Sequence, residues 1–291
     1  MSKVFSLTSS RPAIHLAMFL AKHLPPKAGA YLARVIAITL VRLGGSLPRA
    51  VRMNQAQIRG WEPNDPRLTR VIQDVLVHAG QTYYDLFHQI TTDRPIPISV
   101  TETSWDNWQR ATSSGHGIIV AAPHLSNFDL GIQYLASRGI KMQILSLREP
   151  RPGFQLLNRL RAGPHCQVTP ISPSALREAI RRLEAGGIVG TGIDRPIPDQ
   201  SEKIEFFGRP ARLPIGHIRL ALRTNAIIEV MWVEWDARVG YTLQITPPLH
   251  IERTGNAQTD ISHNSRRVLA IVENAILCHP EQWLAFAPVW E

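Results

Sequence analysis

Residues 117–130, GIIVAAPHLSNFDL, decide the fold, because an apolar run passes through a short polar turn into a helical run. GIIVAA is typical of a buried strand, and the residues after Asn127 are typical of a helix that holds Asp129 in its first turn. His124 stands at the end of the predicted strand. Ligands bind at the carboxyl ends of strands in α/β sheets, so we expect this turn to carry the chemistry.

The residues after this turn continue the same alternation. Strands are predicted at residues 117–122, 140–147, 166–171 and 187–193, followed by a loop at 195–213, strands at 226–235 and 241–251, and a last helix at 260–277. Helical runs separate the first four strands. The pattern predicts an α/β fold with a mixed, largely parallel central sheet flanked by helices.

The chain before this alternation is predicted to be helical from residue 12 to residue 90, with an extended connector at 91–99. Apolar side chains and cations intersperse there. An interfacial helix pair in a membrane and a helical layer packed on the sheet both fit this pattern. We therefore expect a membrane-associating helical region at 1–95 and an α/β core at 96–291, joined as one continuous unit.

The 291 residues carry a net charge of +9, which favours anionic partners such as headgroups, phosphate-bearing substrates, an acidic carrier or nucleic acid. No nucleic-acid motif accompanies the charge, so no nucleic-acid partner is expected. Cys166 and Cys278 are the two cysteines, and neither a disulfide framework nor a metal site is expected. We also expect no membrane-spanning helix and, from residues 1–6, no signal peptide.

The pair His124 and Asp129 suits general base catalysis. A neutral imidazole accepts a hydroxyl proton near neutral pH, and a carboxylate on the other ring nitrogen fixes its tautomer. A substrate that brings its own hydroxyl needs no serine or cysteine nucleophile, and the chain has no GxSxG elbow. HxxxxD alone is weak, because a chain with 11 histidines shows that spacing by chance.

Five blocks in order give a stronger signal. They are GIIVAAPHLSNFDL at 117–130, SLREP at 146–150, GIDR at 192–195, FFGRPA at 206–211 and HPEQW at 279–283. Together they resemble the lysophospholipid acyltransferase superfamily. The likeness is to its bacterial lipid A biosynthesis (lauroyl/myristoyl) branch, which includes the phosphatidylinositol mannoside acyltransferases.

The resemblance implies an O-acyltransferase that needs no cofactor. Its donor would be acyl-carrier protein or acyl-CoA, and its acceptor a hydroxyl of a membrane glycolipid, of the lipid A precursor or phosphatidylinositol mannoside type. It would bind the phospholipid surface at the cytoplasmic face of the inner membrane. The continuation LAFAPVW at 284–290 departs from the branch and leaves the acceptor open.

The resemblance also marks substrate-binding residues. They are Asn127, Arg148, Asp194, Arg195, Glu205, Phe206, Phe207 and Gly208. Arg148 would grip a phosphate, although a solvated surface arginine fits equally. Asp194 and Arg195 would form an ion pair that shapes the pocket or would place charge near the acyl carbonyl, and a purely structural pair is the alternative. Either Glu202 or Glu205 can approach His124, and the phenylalanines would line the acceptor and acyl sites or simply pack the core.

Two other function classes stay open. One is a non-catalytic protein that binds anionic lipid or nucleic acid, which the positive charge favours. The other is a lipid hydrolase, in which water replaces the acceptor hydroxyl. Labelled acyl donor separates hydrolysis from transfer, because the two reactions give different products.

Overall fold

The computed structural model describes residues 10–197 and 201–290. The expectation about a signal peptide concerns residues 1–6 and lies outside the described residues. Within these described residues, the chain starts with four helices: α1 Arg11–His23, α2 Pro26–Leu43, α3 Ser46–Arg59 and α4 Arg67–Thr92. The predicted helical region is therefore present over its described part.

Small side chains let α2 lie close against α4. A Cβ atom on Gly29 would come within 2.5 Å of the Tyr84 ring, and a Cβ atom on Gly80 would come within 2.7 Å of the Ala33 Cβ. The Tyr84 hydroxyl also donates to the Leu24 carbonyl over 2.7 Å. These contacts leave the opposite side of α2 facing outward.

In the part of the chain that the structure describes, nine strands and six further helices follow. The strands are β1 Ile98–Val100, β2 Ile118–Ala122, β3 Met142–Ser146, β4 Cys166–Pro170, β5 Ile188–Gly192, β6 Ser201–Phe206, β7 Arg209–Pro214, β8 Ile227–Asp236 and β9 Gly240–Ile245. The helices are α5 Glu102–Ser113, α6 Phe128–Ser137, α7 Pro152–Arg161, α8 Pro173–Glu184, α9 Gly216–Thr224 and α10 Ala257–Cys278. A 3-10 turn, Pro280–Gln282, comes after α10.

Seven strands form the central sheet in the order β1-β9-β8-β2-β5-β3-β4. The five strands from β8 to β4 are parallel, β9 is antiparallel to β8, and β1 is parallel to β9. The predicted mixed, largely parallel sheet flanked by helices is confirmed.

The alternation of side chains along β2 separates two apolar layers. Ile119 and Ala121 pack with residues of α8, α9 and α10 on one face. Ile118 packs with residues of α5 and α6 on the other face. Because both faces are covered, the strand reads as a continuous apolar run.

Two predictions about connections are wrong. The predicted loop at 195–213 contains the antiparallel hairpin β6–β7, although residues 198–200 lie outside the description. Its turn residues, Phe207 and Gly208, have φ values of 50° and 68°. Phenylalanine is not the residue expected there, so the turn lacked the usual signal. The predicted connector at 91–99 includes the end of α4 and the start of β1.

The segment after α10 returns to α3. Asn54 Nδ2 donates to the carbonyls of Ala285 and Ala287, over 3.0 and 2.8 Å, and Asn54 Oδ1 accepts from Val289 N over 3.1 Å. Asn54 is buried, so these bonds satisfy a side chain that has lost its water. They tie the C-terminal segment to the helical region.

Among the described residues, no single helix has the length and apolar character to cross a membrane. The neighbours α2 and α3 reach that length and composition only when they are taken together, and they are bent by 91° at their junction.

Candidate active site

The site forms where β2 and β5 end side by side. The two strands are parallel, with Ala122 opposite Gly192, so the residues that follow each strand meet at one edge. His124 follows β2 and Asp194 follows β5. The His124 ring nitrogen Nδ1 lies 2.6 Å from Asp194 Oδ1. This contact joins residues that are 70 positions apart in the chain.

Asp194 is fully buried, and both of its oxygens accept hydrogen bonds. Oδ2 accepts from the backbone N–H of His124 over 2.9 Å and from the indole Nε1–H of Trp283 over 2.7 Å. Burial by itself would raise the pKa of Asp194, but its interaction with the His124 ring, helped by Arg195 and the Trp283 indole, holds it well below its usual range. Asp194 is therefore a carboxylate at neutral pH.

The His124 ring is neutral in this setting. Burial lowers the pKa of His124 and the positive charge of Arg195 lowers it further, while Asp194 opposes both. Because a carboxylate only accepts, the shared proton lies on Nδ1, which leaves a lone pair on Nε2. The side chain is 21% exposed, and Nε2 has no hydrogen-bond partner among the described residues. Such a ring can accept a proton from an incoming hydroxyl.

Asp129 does not hold the His124 ring, so that part of the sequence interpretation is wrong. Its oxygens accept from Arg161 Nε over 2.5 Å and Arg161 Nη2 over 2.9 Å. The Arg161 guanidinium lies 5.4 Å from the centre of the Phe128 ring, which contacts the His124 ring edge-on at 5.0 Å. Asp129 thus fixes a cation beside the imidazole, and any catalytic role for it stays a prediction.

Gly192 makes room for the imidazole. A Cβ atom there would lie 2.6 Å from His124 Cε1 and 3.2 Å from Nε2. Its φ lies outside the left-handed region, so the requirement is for space and not for backbone freedom. The sequence signal was a glycine at the carboxyl end of a predicted strand.

The turn between His124 and α6 is held from two sides. Ser126 has a φ of 46°, a left-handed conformation that needs support in a residue other than glycine. Its hydroxyl lies 3.1 Å from His78 Nε2, and its backbone N–H donates to the Gln282 carbonyl over 2.8 Å. Asn127 is fully buried and donates to the Thr82 carbonyl over 3.3 Å. That contact is structural, and substrate binding by Asn127 stays a prediction.

The two arginines that were predicted to bind substrate, Arg195 and Arg148, lie in different surroundings. Arg195 Nη2 donates to the Leu284 carbonyl, and its buried Nε has no hydrogen-bond partner among the described residues. Its charge acts on His124, so Arg195 belongs to the site. Arg148 is exposed, two residues after β3. Phosphate binding by Arg148 and substrate binding by Arg195 stay predictions.

The FFG block at residues 206–208 contacts Trp283 through a cluster of aromatic rings. Phe206 is fully buried, and its ring is stacked on Trp290 at 5.6 Å and contacts Trp283 edge-on at 6.1 Å. Phe207 N donates to Glu273 Oε1 over 2.5 Å, and the exposed Gly208 completes the hairpin turn. This cluster supports Trp283, and direct substrate contact by the block stays a prediction.

Glu202 and Glu205, the two glutamates of the predicted loop, lie away from His124. Glu205 is exposed on β6, and Glu202 accepts from Arg219 of α9. Asp194 occupies the place beside His124 that the sequence interpretation offered to either glutamate. Within the described ranges, no group of three or more His, Cys, Asp and Glu side chains is arranged to hold a metal ion.

The chain is similar to curated mycobacterial proteins. It is 23% identical over 259 residues to the phosphatidylinositol mannoside acyltransferase of Mycobacterium tuberculosis, in strains CDC 1551 / Oshkosh and ATCC 25618 / H37Rv. The match covers 86% of this chain and 78% of each relative. It is 21% identical over 261 residues to the protein of that name from Mycolicibacterium smegmatis, covering 86% of this chain and 81% of the relative.

A family model covers almost the whole chain. The model for the bacterial lipid A biosynthesis acyltransferase matches residues 12–291. This range includes the helices, the sheet and every residue of the site, and it agrees with the resemblance of the five sequence blocks. The chain therefore belongs to the bacterial lipid A biosynthesis acyltransferase family and is an acyltransferase of glycolipid biosynthesis.

Proposed function

We propose that this enzyme moves a fatty acyl group from a thioester donor to a hydroxyl of a membrane glycolipid, with His124 as general base and Asp194 as the carboxylate that orients it. The observation that carries the proposal is the 2.6 Å contact between His124 Nδ1 and Asp194 Oδ1. It leaves Nε2 as the basic atom of a ring whose side chain is 21% exposed.

The reaction follows from this arrangement. Nε2 takes the proton of the acceptor hydroxyl while its oxygen attacks the thioester carbonyl. Asp194 stabilises the imidazolium that forms. The tetrahedral intermediate then breaks its C–S bond, and the leaving thiolate takes the proton from the imidazolium. The product is an ester, and the ring returns to its neutral state.

The oxyanion of the intermediate needs positive charge or N–H donors. Arg195 suits this role, because it is close enough to lower the pKa of His124 and has a buried Nε with no partner among the described residues. Arg148 and backbone amides are the other candidates. Arg161 is less suited, since Asp129 already accepts from two of its nitrogens.

The acceptor is proposed to be a lipid A precursor or a phosphatidylinositol mannoside. The family description supports the first, and the names of the mycobacterial relatives support the second. For the donor we propose acyl-carrier protein or acyl-CoA, because both present the acyl group as a thioester that a deprotonated hydroxyl attacks.

A membrane location is supported by the N-terminal helices. Residues 1–61 contain nine of the 32 lysines and arginines and none of the 23 aspartates and glutamates, so the rest of the chain balances at 23 of each. Exposed apolar side chains accompany these cations. They are Leu16, Phe19, Tyr31, Val35, Ile36, Leu43 and Met53.

A surface with apolar side chains among unopposed cations suits the interface of an anionic bilayer. Within the described part of residues 1–61, no lysine or arginine forms a salt bridge. We therefore propose that α1 and α2 lie on the cytoplasmic leaflet of the inner membrane, from which the glycolipid hydroxyl reaches His124.

The test is acyl transfer from labelled palmitoyl-CoA to each acceptor class in anionic vesicles. His124→Ala should lower turnover by a factor of about 10² to 10⁴ and leave the fold intact. His263→Ala removes an exposed histidine on α10 and should keep full activity, which makes it the control. Label appearing as free fatty acid would indicate a hydrolase, and normal transfer by His124→Ala would refute the proposal.

A further inference from the structure

The geometry points to Trp283 as a positioning residue: its indole N–H orients the Asp194 carboxylate so that His124 keeps the basic nitrogen toward the substrate. This inference deepens the proposed function and rests on it for its catalytic meaning. Trp283 acts through Asp194, whose Oδ2 lies 2.7 Å from the indole nitrogen.

The two oxygens of Asp194 have separate tasks. Oδ2 accepts two donors, the Trp283 indole and the backbone N–H of His124. Oδ1 is left for His124 Nδ1. Two donors on one oxygen prevent the carboxylate from turning, and they fix the plane in which Oδ1 meets the ring. The proton therefore stays on Nδ1 and the lone pair on Nε2.

The segment that holds Trp283 also holds the His124 turn. Leu125 and Trp283 form an isolated antiparallel bridge, and the Leu284 N–H donates to the His124 carbonyl over 2.9 Å. The Gln282 side chain exchanges two hydrogen bonds with the backbone of Trp235, over 2.7 and 2.9 Å. One short segment thus sets both the ring and its carboxylate.

The indole is held rigidly enough to fix a hydrogen bond. Trp283 is fully buried, and the rings of Phe206, Phe207 and Trp290 surround it at centroid distances of 6.1, 6.5 and 6.1 Å. A residue needed only for packing would not need to place its N–H on a buried carboxylate. The charge at the other end of this bond makes it stronger than a neutral hydrogen bond.

Loss of the indole donor should change the basicity of His124. With one donor fewer, the Asp194 carboxylate is more basic, which raises the pKa of the His124 ring. It is also freer to turn away from Nδ1, which lets the neutral ring take up the other tautomer. Among the described residues, the charged groups that act on this ring are Asp194 and Arg195 from the end of β5 and Arg161 from α7. The arginines are unchanged, so an altered titration of His124 would trace to Asp194.

The test compares Trp283→Phe with Trp290→Phe in the full chain. Trp290 is the matched control, because it is buried in the same cluster and its Nε1 donates to the Phe206 carbonyl over 3.0 Å. Nitrogen-15 NMR of labelled histidine reads the tautomer directly. We expect the wild type and Trp290→Phe to show the proton on Nδ1, and Trp283→Phe to show a mixture.

Kinetics give the second readout. Trp283→Phe should lower kcat on the order of tenfold with little change in KM, and should move the acid limb of its pH profile to higher pH. Trp290→Phe should do neither. Equal effects of both variants on tautomer and pH profile would overturn the inference and leave Trp283 with a packing role only.

The wild type provides a test that needs no variant to fold. The indole N–H resonance of Trp283 should shift as His124 titrates, because both bind one carboxylate. If the chemical shift of this indole N–H stays constant while His124 titrates, the inference is also overturned. The tautomer is measured without substrate, so its result does not depend on the proposed function. If the ring carries its proton on Nδ1 but His124→Ala is still active, the proposed function is refuted and the positioning role of Trp283 is not.

Discussion

The carboxyl edge of the sheet and the N-terminal helices use charge in opposite ways. At the sheet edge, Asp194 pairs with His124 and Asp129 pairs with Arg161, so both of these buried carboxylates have a partner inside the protein. On α1 and α2 the cations are exposed and no carboxylate stands within the first 61 residues. Buried charge is costly unless it is paired, whereas exposed charge is free to meet a partner.

At the sheet edge, the proposed function depends on the exact positions of a few side chains. On the N-terminal helices, it depends on the summed attraction of many side chains to a partner surface. At the sheet edge a displacement of one ring or one carboxylate changes the chemistry. On the helices no single side chain is decisive, because many weak contacts add up. Substitutions at the sheet edge should therefore have large, specific effects, and substitutions on the helices should have small, cumulative ones.

The largest change in stability should come from Asp129→Ala. It leaves the Arg161 guanidinium, whose side chain is 18% exposed, without its carboxylate, and should lower the free energy of unfolding by about 3 kcal/mol. Asp74→Ala breaks an exposed pair with Arg70 and should cost below about 1 kcal/mol. Urea titration measures both, and equal losses would contradict the contrast between buried and exposed pairs.

Gly192→Ala should impair chemistry without unfolding the protein. The added Cβ would lie 2.6 Å from His124 Cε1, so the ring must move. Misplacement of a catalytic group by about 1 Å costs on the order of 10²-fold in rate. Gly216→Ala, where a Cβ meets nothing within 4 Å, is the control. Unchanged kcat in Gly192→Ala would mean that the ring position does not matter.

The pH dependence should follow the neutral imidazole. Burial and Arg195 place the pKa of His124 below its ordinary value of 6.5, so the base is unprotonated at pH 6.5 and above. Activity should persist to that pH and fall about tenfold per unit once the pH drops below the lowered pKa. An acid limb centred above pH 6.5 in a kcat/KM profile would contradict the lowered pKa.

The smallest effects should come from the helices. Replacing Arg34 or Arg42 with glutamine should weaken binding to phosphatidylglycerol-containing vesicles about fivefold for each cation removed, and less at high salt. Arg238→Gln removes an exposed cation at the β8–β9 turn and should have no effect. Vesicle sedimentation that finds no difference among the three variants would remove the proposed membrane surface.

Sequence patterns predicted the parallel core well because β2, β3 and β4 are short strands that are each followed by a helix. They could not identify the partner of His124. Asp129 is close in sequence, but Asp194 becomes close only because β2 and β5 are neighbours, and strand order is not written in local spacing. Asp194 was found as a site residue, though with a different task.

The roles of Trp283 and Gly192 were also beyond sequence patterns. An indole that donates to a carboxylate 89 residues away depends on how the C-terminal segment returns to the sheet.

The hairpin β6–β7 could not be predicted from the sequence, because its turn contains Phe207, which adopts a positive φ that phenylalanine rarely takes. Its hydrogen bonds to Glu273 and Gln57 support that conformation from outside the turn.

The choice between Asp194 and Asp129 as the partner of the base is tested most directly by single-turnover acyl transfer in Asp194→Asn and Asp129→Asn. In Asp194→Asn, two N–H donors should hold the amide oxygen at the Oδ2 position and turn its NH2 toward His124, which favours the wrong tautomer. The predicted loss is on the order of 10³-fold or more. Asp129→Asn still accepts from Arg161 and should stay within about tenfold of the wild type. A near-normal rate in Asp194→Asn, together with a large loss of rate in Asp129→Asn, would show that Asp129 and not Asp194 is the partner of the base.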